Sequence, residues 1–300
     1  MGEPSARLRL GRIDFLNVLP IYHALEAGIV ANPFEIVPGD PSRLNELCAT
    51  GGLDMSPVSS IEYARRADLY HIVPELSINS EGEVKSVLLL SRMPVEELTG
   101  KRVLTSAKSQ TSVGLLKVLC RLRYGVEPFF ETGSCLTCFS GAELPDACLA
   151  IGDEALRLAA SGLFPHVLDL GTEWLEWTGL PFVFAVWVLR KEVVAQKNGQ
   201  LPEGTHALIS SKRWGLTNIG RICELAASTG LMTVRQFEEY YRCLKYDFND
   251  REQRGLELFY SCLFRAGELE RVPALDIYAN GEWGRSGPPR QPVGSPLVFA

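Results

Sequence analysis

The chain has 300 residues, of which 46% are hydrophobic and 22% are charged, and its formal net charge is −6. This composition is typical of a globular protein with one large or two smaller domains. An acidic balance excludes the basic footprint of nucleic-acid-binding proteins, so we expect no nucleic-acid partner. The sequence shows no apolar run of membrane-spanning length and no signal segment, so we expect no membrane association.

The eight cysteines lie mostly in apolar helix or strand patterns, where a free thiol packs as a small hydrophobic group. Together with the missing export signal, this predicts a reduced, cytoplasmic protein. One CxxC pair, Cys135 and Cys138, supplies two of the roughly four ligands that zinc needs. The four histidines are scattered, and neither a P-loop nor a dinucleotide fingerprint occurs, so we expect no metal and no cofactor.

In the first third, short apolar runs alternate with short helical patterns, which indicates βαβ units. The predicted strands are 8–13, 34–37, 53–58 and 84–90. Between the first strand and a helix that opens with Pro20 lies the segment Asp14-Phe15-Leu16-Asn17-Val18-Leu19-Pro20. Asn17 therefore follows a strand end beside a helix N-terminus, where it either caps the helix or binds a ligand.

The middle third repeats this alternation, and the final third is predicted to be helical. Strands are predicted at 102–105, 147–151 and 182–189, and helices in the final third at 193–197, within 208–227, at 234–243 and at 251–266. We therefore expect an α/β fold of two lobes, each a mostly parallel sheet flanked by helices, with a ligand cleft between them. Lobe I comprises 1–90 and 186–280, lobe II is the inserted segment 91–185, and the Gly- and Pro-rich residues 281–300 form a disordered tail.

Polar residues recur at the predicted strand ends, and singly such residues are usually helix caps. They are Asn17, Ser59, Ser60, Ser86, Thr111, Ser112, Gly152 and Asp153. Because several share one topological position, a common pocket of hydroxyls, an amide and helix N-termini is expected. Such a pocket suits the carboxylates of a small-molecule substrate without needing arginines.

Several segments, in order, resemble the chorismate dehydratases of the futalosine route to menaquinone. They are the 14–20 segment, 39–45, Asp54 with 59–63, Thr111-Ser112, 151–153 and 176–185. The resemblance covers about residues 8–266 and implies a type II periplasmic-binding-protein-like fold. It also implies conversion of chorismate, a dicarboxylate, to 3-[(1-carboxyvinyl)oxy]benzoate and water by a hydro-lyase that is a monomer or a homodimer.

The resemblance puts Asn17 and Ser86 at the reacting substrate as the catalytic pair, with Ser59, Ser60, Thr111 and Ser112 binding carboxylates beside Gly152 and Asp153. The sister enzyme, 1,4-dihydroxy-6-naphthoate synthase, is similar but carries a histidine where this chain has Gly152, which favours the dehydratase. No general base is evident, so deprotonation by the substrate's own enolpyruvyl carboxylate is our hypothesis. The alternatives are the sister synthase and a non-catalytic solute-binding or sensor protein of the same fold.

Overall fold

The computed structural model describes residues 7–106, 109–135 and 145–279, which form two sheets with helices packed on them. The strands are β1 Leu8–Ile13, β2 Phe34–Gly39, β3 Met55–Ser59, β4 Tyr70–Ser80, β5 Val87–Ser91, β6 Arg102–Thr105, β7 Phe129–Thr132, β8 Ala147–Ile151, β9 His166–Asp169, β10 Phe182–Arg190 and β11 Leu244–Lys245. The helices are α1 Leu19–Glu26, α2 Pro41–Thr50, α3 Ser60–Arg65, α4 Gln110–Val118, α5 Gly152–Ser161, α6 Leu170–Thr178, α7 Lys191–Lys197, α8 Leu201–Thr217, α9 Ile219–Ala227, α10 Val234–Cys243 and α11 Asp250–Arg265.

The larger sheet has the strand order β11-β4-β10-β3-β1-β2. Strand β1 pairs in parallel with β2 and β3, whereas β10 is antiparallel to both β3 and β4. Strand β11 is antiparallel to β4. Consequently β1 to β4 all run in one direction, and β10 and β11 run in the opposite direction.

The smaller sheet has the order β7-β6-β8-β5-β9, in which β6 is parallel to β7 and β8. Strand β5 is antiparallel to both β8 and β9. The predicted α/β class with two sheets is confirmed, but the prediction that each sheet is mostly parallel needs a correction, because the hydrogen-bonded neighbours are mixed. The strands β5 and β10 each follow a crossing between the sheets, and each starts at the edge where its hydrogen-bonded neighbours end.

The chain crosses between the sheets twice. It leaves the larger sheet after Ser80 and enters the smaller one at Val87, then returns at Phe182. Sheet membership therefore changes a few residues before the predicted divisions at 90/91 and 185/186. Both crossings contain left-handed backbone, at Gly82 with φ 99° and at Gly179 with φ 70°. The two-lobe boundaries stay a prediction, and the predicted tail 281–300 lies outside the described residues.

Strand β4 was not predicted, although its 11 residues make it longer than β10. Pro74 and Glu75 interrupt its pattern, because Pro74 lacks an N–H and Glu75 adopts φ 60°. The pairing with β10 shifts register across this point, which is the signature of a bulge. The helical final third is confirmed, with α8 starting at Leu201, earlier than predicted.

The start of α1 is fixed by a buried chain of hydrogen bonds in the larger sheet. The indole Nε1–H of Trp187 donates to the hydroxyl of Tyr22 at 3.1 Å, and that hydroxyl donates to the carbonyl oxygen of Gly11 at 2.6 Å. These contacts tie β10, α1 and β1 together, and thereby fix the β1–α1 turn that carries Asn17.

None of the helices within the described ranges combines the length and the apolarity needed to cross a bilayer.

Candidate functional site

A narrow cavity of about 90 Å³, here called the cleft cavity, lies between the strand ends of the two sheets. It is lined by Ile13, Phe15, Asn17, Pro41, Ser59, Ile78, Val84, Ser86, Val87, Ser109, Ser112, Ile151, Gly152, Phe184, Ala185 and Leu244. Of the sequence-predicted site residues, the structure brings together Asn17, Ser59, Ser86, Ser112 and Gly152. The lining set does not include Ser60, Thr111 or Asp153.

Asn17 lies in a single 3-10 turn, Leu16–Val18, between β1 and α1. The helix is not capped by its side chain, because the N-cap residue is Val18 and makes no side-chain cap bond. Its backbone carbonyl accepts a hydrogen bond from the hydroxyl of Tyr246 at 2.7 Å, and the carbonyl of Leu16 accepts one from Tyr241 at 2.8 Å. The Oδ1 atom of Asn17 is buried and has no partner among the described residues. The turn is thus fixed through its backbone, while the side-chain amide is available to a ligand.

Ser86 is the last residue before β5 and follows Lys85, which adopts φ 61°. The carboxylate of Asp169 holds this strained turn by accepting the backbone N–H groups of Val84 at 3.0 Å and Lys85 at 2.7 Å. The carbonyl of Ser86 accepts the N–H of Gly152 at 2.7 Å. Ser86 is therefore positioned by its backbone from two directions.

The hydroxyl of Ser86 makes two long hydrogen bonds. It accepts one from the hydroxyl of Tyr240 at 3.3 Å and donates one to the carbonyl of Val84 at 3.3 Å. Both exceed the usual length of 2.5 to 3.0 Å for O–H···O bonds. Sequence reasoning missed Tyr240, because no local pattern links it to a residue 154 positions away.

Asp169 also caps α6 by accepting the N–H groups of Gly171 at 2.9 Å and Thr172 at 3.1 Å. Burial raises the pKa of its carboxyl above the ordinary value, and the backbone N–H donors oppose that rise without cancelling it.

Ser59 and Ser60 are neighbours with different surroundings. Ser59 lines the cavity and also caps α3 by accepting the N–H of Glu62 at 3.2 Å. Ser60 is fully buried, and its hydroxyl donates to the carbonyl of Val183 at 2.6 Å. Its hydroxyl therefore links α3 to β10, and its predicted contact with a substrate carboxylate stays a prediction.

The pair Thr111 and Ser112 divides in the same way. Ser112 lines the cavity, whereas Thr111 Oγ1 accepts the N–H of Ile61 at 3.1 Å and joins α4 to α3. The cap of α4 is Ser109, whose Oγ accepts the N–H of Ser112 at 3.2 Å and donates to Ser112 Oγ at 2.8 Å. Ser109 also lines the cavity and was not predicted, although its position three residues before Ser112 is the spacing of a helix cap.

Gly152 begins α5 with φ 57°, and a Cβ atom there would meet nothing within 4 Å. The N-cap residue of this helix, Ile151, makes no side-chain cap bond within the described residues, and Ile151 and Gly152 both line the cavity. Asp153 follows on α5, outside the lining set. Burial raises the pKa of its carboxyl, and the positive charge of Arg157 opposes that rise.

The lining residues that the structure describes include no charged side chain, and they combine four serine hydroxyls with one amide. Helix α2 starts at Pro41, α3 is capped by Ser59, α4 is capped by Ser109 and α5 starts at Gly152, so four helix N-termini meet at this cavity. Their dipoles favour negative charge. Two aromatic rings, Phe15 and Phe184, complete the walls. The cleft cavity is therefore a neutral, partly aromatic pocket suited to a small molecule with carboxylates.

A wider cavity of about 660 Å³, here called the outer cavity, adjoins the site. Its walls include Lys85, Arg157, Gln236, Glu239 and Tyr240. Across residues 7–106, 109–135 and 145–279, no group of three or more His, Cys, Asp and Glu side chains could hold a metal ion. Cys135 is buried and its thiol donates to Leu149, while Cys138 lies outside the described residues.

Comparison with solved structures identifies the fold. A protein from Archaeoglobus fulgidus superposes with a TM-score of 0.72 at 19% identity, covering 89% of this chain and all of that one. The periplasmic aliphatic sulphonate binding protein of Escherichia coli gives 0.64 at 16% identity, covering 99% of this chain and 100% of that one. The two-sheet arrangement is therefore the periplasmic-binding-protein-like fold.

Sequence comparison identifies the family. A family model described as menaquinone biosynthesis matches residues 8–265. Chorismate dehydratase of Thermus thermophilus is 30% identical over 272 residues, which is 85% of this chain and 94% of that protein. The 1,4-dihydroxy-6-naphthoate synthase of the same organism is 29% identical over 188 residues, covering 62% of this chain and 67% of that protein. Because the family match spans most of the chain and the dehydratase aligns over nearly its whole length, the chain belongs to the menaquinone biosynthesis family.

Proposed function

We propose that this chain is a chorismate dehydratase, which converts chorismate to 3-[(1-carboxyvinyl)oxy]benzoate and water in the futalosine route to menaquinone. The chain is an enzyme of the hydro-lyase class, as its relatives named chorismate dehydratase imply. The observation that carries the proposal is the neutral cleft cavity, in which Asn17 presents a buried Oδ1, without a partner in the described part of the chain, beside hydroxyls and helix N-termini.

The reaction needs binding and charge stabilisation more than strong acids or bases. The C3–H of chorismate is vinylogous to the ring carboxylate, so its removal gives a delocalised anion. Loss of the C4 hydroxyl as water then makes the ring aromatic, which drives the reaction. An enzyme can promote these steps by holding both carboxylates and placing donors where charge develops.

We assign Asn17 to orienting the substrate and its leaving hydroxyl, since its amide offers both a donor and an acceptor. Ser86 donates near the reacting carbons, and Ser59 and Ser112 bind carboxylate oxygens with the N-terminus of α5. No lining residue that the structure describes is titratable, which supports proton removal by the substrate's own enolpyruvyl carboxylate. The proton would then leave with the C4 hydroxyl as water.

The test is to incubate the purified protein with chorismate and follow the aromatic product by mass and absorbance. We expect loss of one water per chorismate and at least about a hundredfold lower kcat for Asn17→Ala and Ser86→Ala, the usual effect of removing one transition-state donor. Circular dichroism and thermal melting show that the variants are folded. Full turnover by both variants would contradict the residue roles, and no product from the wild type would contradict the reaction.

Our proposal also includes a cytoplasmic location and a monomeric or homodimeric state. The described cysteines form no disulfide with one another, as a reducing compartment such as the cytoplasm favours. Monomer or homodimer stays a prediction, which sedimentation of the same sample measures.

A further inference from the structure

Tyr240 links the outer cavity to the cleft cavity. The residue lines the outer cavity, and its hydroxyl reaches Ser86 Oγ at 3.3 Å, while Ser86 lines the cleft cavity. The residue lies on α10, and its ring packs against that of Tyr241 with centroids 5.5 Å apart. Neither the family match nor the predicted site assigns it a role.

We propose that Tyr240 is a positioning residue that directs and polarises the hydroxyl of Ser86 through the hydrogen bond it donates. This inference rests on the proposed function, in which Ser86 acts at the substrate.

The hydrogen-bond inventory of Ser86 leads to this role. A serine hydroxyl has one proton to donate, and here Tyr240 donates into its oxygen. The Ser86 proton must therefore point elsewhere, and its acceptor is the carbonyl of Val84 at a long 3.3 Å. A better acceptor, such as a substrate oxygen with developing negative charge, takes over that proton by rotation of the hydroxyl. Tyr240 thus fixes Ser86 as a donor toward the substrate.

Tyr240 is a reliable donor because it stays protonated. Only 4% of the residue is exposed, and burial raises the pKa of its phenol well above the ordinary value. The hydrogen bond with Ser86 opposes that rise in pKa without cancelling it, and the charge of Asp153 adds to it. A donor that acts on a second donor strengthens it, since hydrogen bonds in a chain polarise one another. The gain appears only when charge develops on the substrate, so it affects kcat more than KM.

The test is a double-mutant cycle with Ser86→Ala and Tyr240→Phe, measured as turnover of chorismate. We expect Tyr240→Phe alone to lower kcat about tenfold, the upper range for one hydrogen bond, with KM changed less than about twofold. In the Ser86→Ala background, Tyr240→Phe should change kcat by less than about twofold. An undiminished tenfold loss in that background, or full kcat in the single variant, would overturn the proposal.

The matched control is Tyr63→Phe. The hydroxyl of Tyr63 is also buried, donates to the carbonyl of Ala274 at 3.0 Å and accepts the N–H of Asp276 at 2.8 Å, away from both cavities. The Tyr63→Phe substitution removes a comparable hydroxyl, so we expect it to lower thermal stability and to leave kcat unchanged. A similar loss of kcat in Tyr63→Phe would attribute the Tyr240→Phe result to general loosening.

The same cycle measured by urea unfolding separates this inference from the proposed function. The destabilisation of the double variant should be smaller than the sum of the two single variants, because both remove the same hydrogen bond. This readout needs no turnover, so it tests the Tyr240–Ser86 contact even if the wild type does not consume chorismate. Simple additivity would overturn the inference, whereas lack of product with a coupled cycle would contradict the reaction alone.

Discussion

The Asn17 turn follows β1 of the larger sheet and the Ser86 turn precedes β5 of the smaller sheet. Both line the cleft cavity, and both are supported by tyrosines of the 240–246 segment. At Asn17 the support reaches the backbone, through the Tyr246 hydroxyl, and Oδ1 of the side chain has no partner within the described ranges. At Ser86 the support reaches the reactive group itself, through the Tyr240 hydroxyl. The side chain of Asn17 is therefore independent of its supporting tyrosine, whereas the direction in which Ser86 donates is set by Tyr240.

The largest effect that this comparison predicts comes from Asn17→Asp. The change keeps the shape of the side chain but puts a carboxylate in the neutral cleft cavity, which we propose binds the dicarboxylate chorismate. Like charges at close range cost several kcal/mol, so chorismate binding should weaken by more than about a hundredfold. Isothermal calorimetry at pH 8 measures this, since burial raises the pKa of the introduced carboxyl and it must be ionised.

Thermal melting of Asn17→Asp is the control for that experiment. The variant should stay folded, because the backbone contacts of the turn do not involve the side chain. Unchanged chorismate affinity would show that Asn17 does not face the substrate.

A smaller effect is expected from Tyr246→Phe. It removes the donor to the Asn17 carbonyl, which loosens the turn by about 1 kcal/mol without touching the amide. We expect kcat to fall about threefold, less than for Tyr240→Phe, together with a lower thermal midpoint. A loss equal to that of Tyr240→Phe would erase the distinction between backbone and side-chain support.

The smallest effect concerns the pH dependence of stability, through Asp54, which binds Arg9 of β1, and Asp169, which holds the Ser86 turn. Burial would raise the pKa of Asp54, but hydrogen bonds from Arg9 and Lys197 outweigh it and lower the pKa. Its stabilisation is therefore present above the unfolded pKa and is lost as pH falls through the folded pKa. Asp169 has a raised pKa, so its linked stability is present in acid and is lost as pH rises through the folded value.

Urea unfolding between pH 7 and pH 3 tests this contrast. The stability gap between the wild type and Asp54→Asn should shrink as pH falls below about 4. The gap for Asp169→Asn should not shrink over the same range. If the free energies of unfolding of the two variants changed with pH in the same way, the opposite pKa shifts of Asp54 and Asp169 would be contradicted.

Neighbouring residues show how far sequence reasoning reached at the site. The strand-to-helix junctions were predictable, because Pro20, the Asp40-Pro41 pair and the caps mark helix starts. Within a junction, however, Ser59 and Ser60, or Thr111 and Ser112, have equivalent sequence patterns. About 100° of helical rotation separates the side chains of Thr111 and Ser112, whereas Ser59 ends β3 in extended backbone and Ser60 begins α3. The structure places Ser59 and Ser112 in the cavity lining, whereas the hydroxyls of Ser60 and Thr111 join α3 to β10 and α4 to α3.

By itself the sequence determined the α/β alternation, the neutral polar strand ends and the position of Asn17 before a helix, because these depend on local spacing and backbone chemistry. Only the tertiary structure decided that Asn17 does not cap α1, that β5 and β10 run against their neighbours, and that Tyr240 holds Ser86. Those features depend on contacts between segments up to 229 residues apart, which local patterns do not encode. Burial is also decided by the tertiary structure. The Oδ1 atom of Asn17, which has no partner among the described residues, indicates a ligand site only because the surrounding residues bury it.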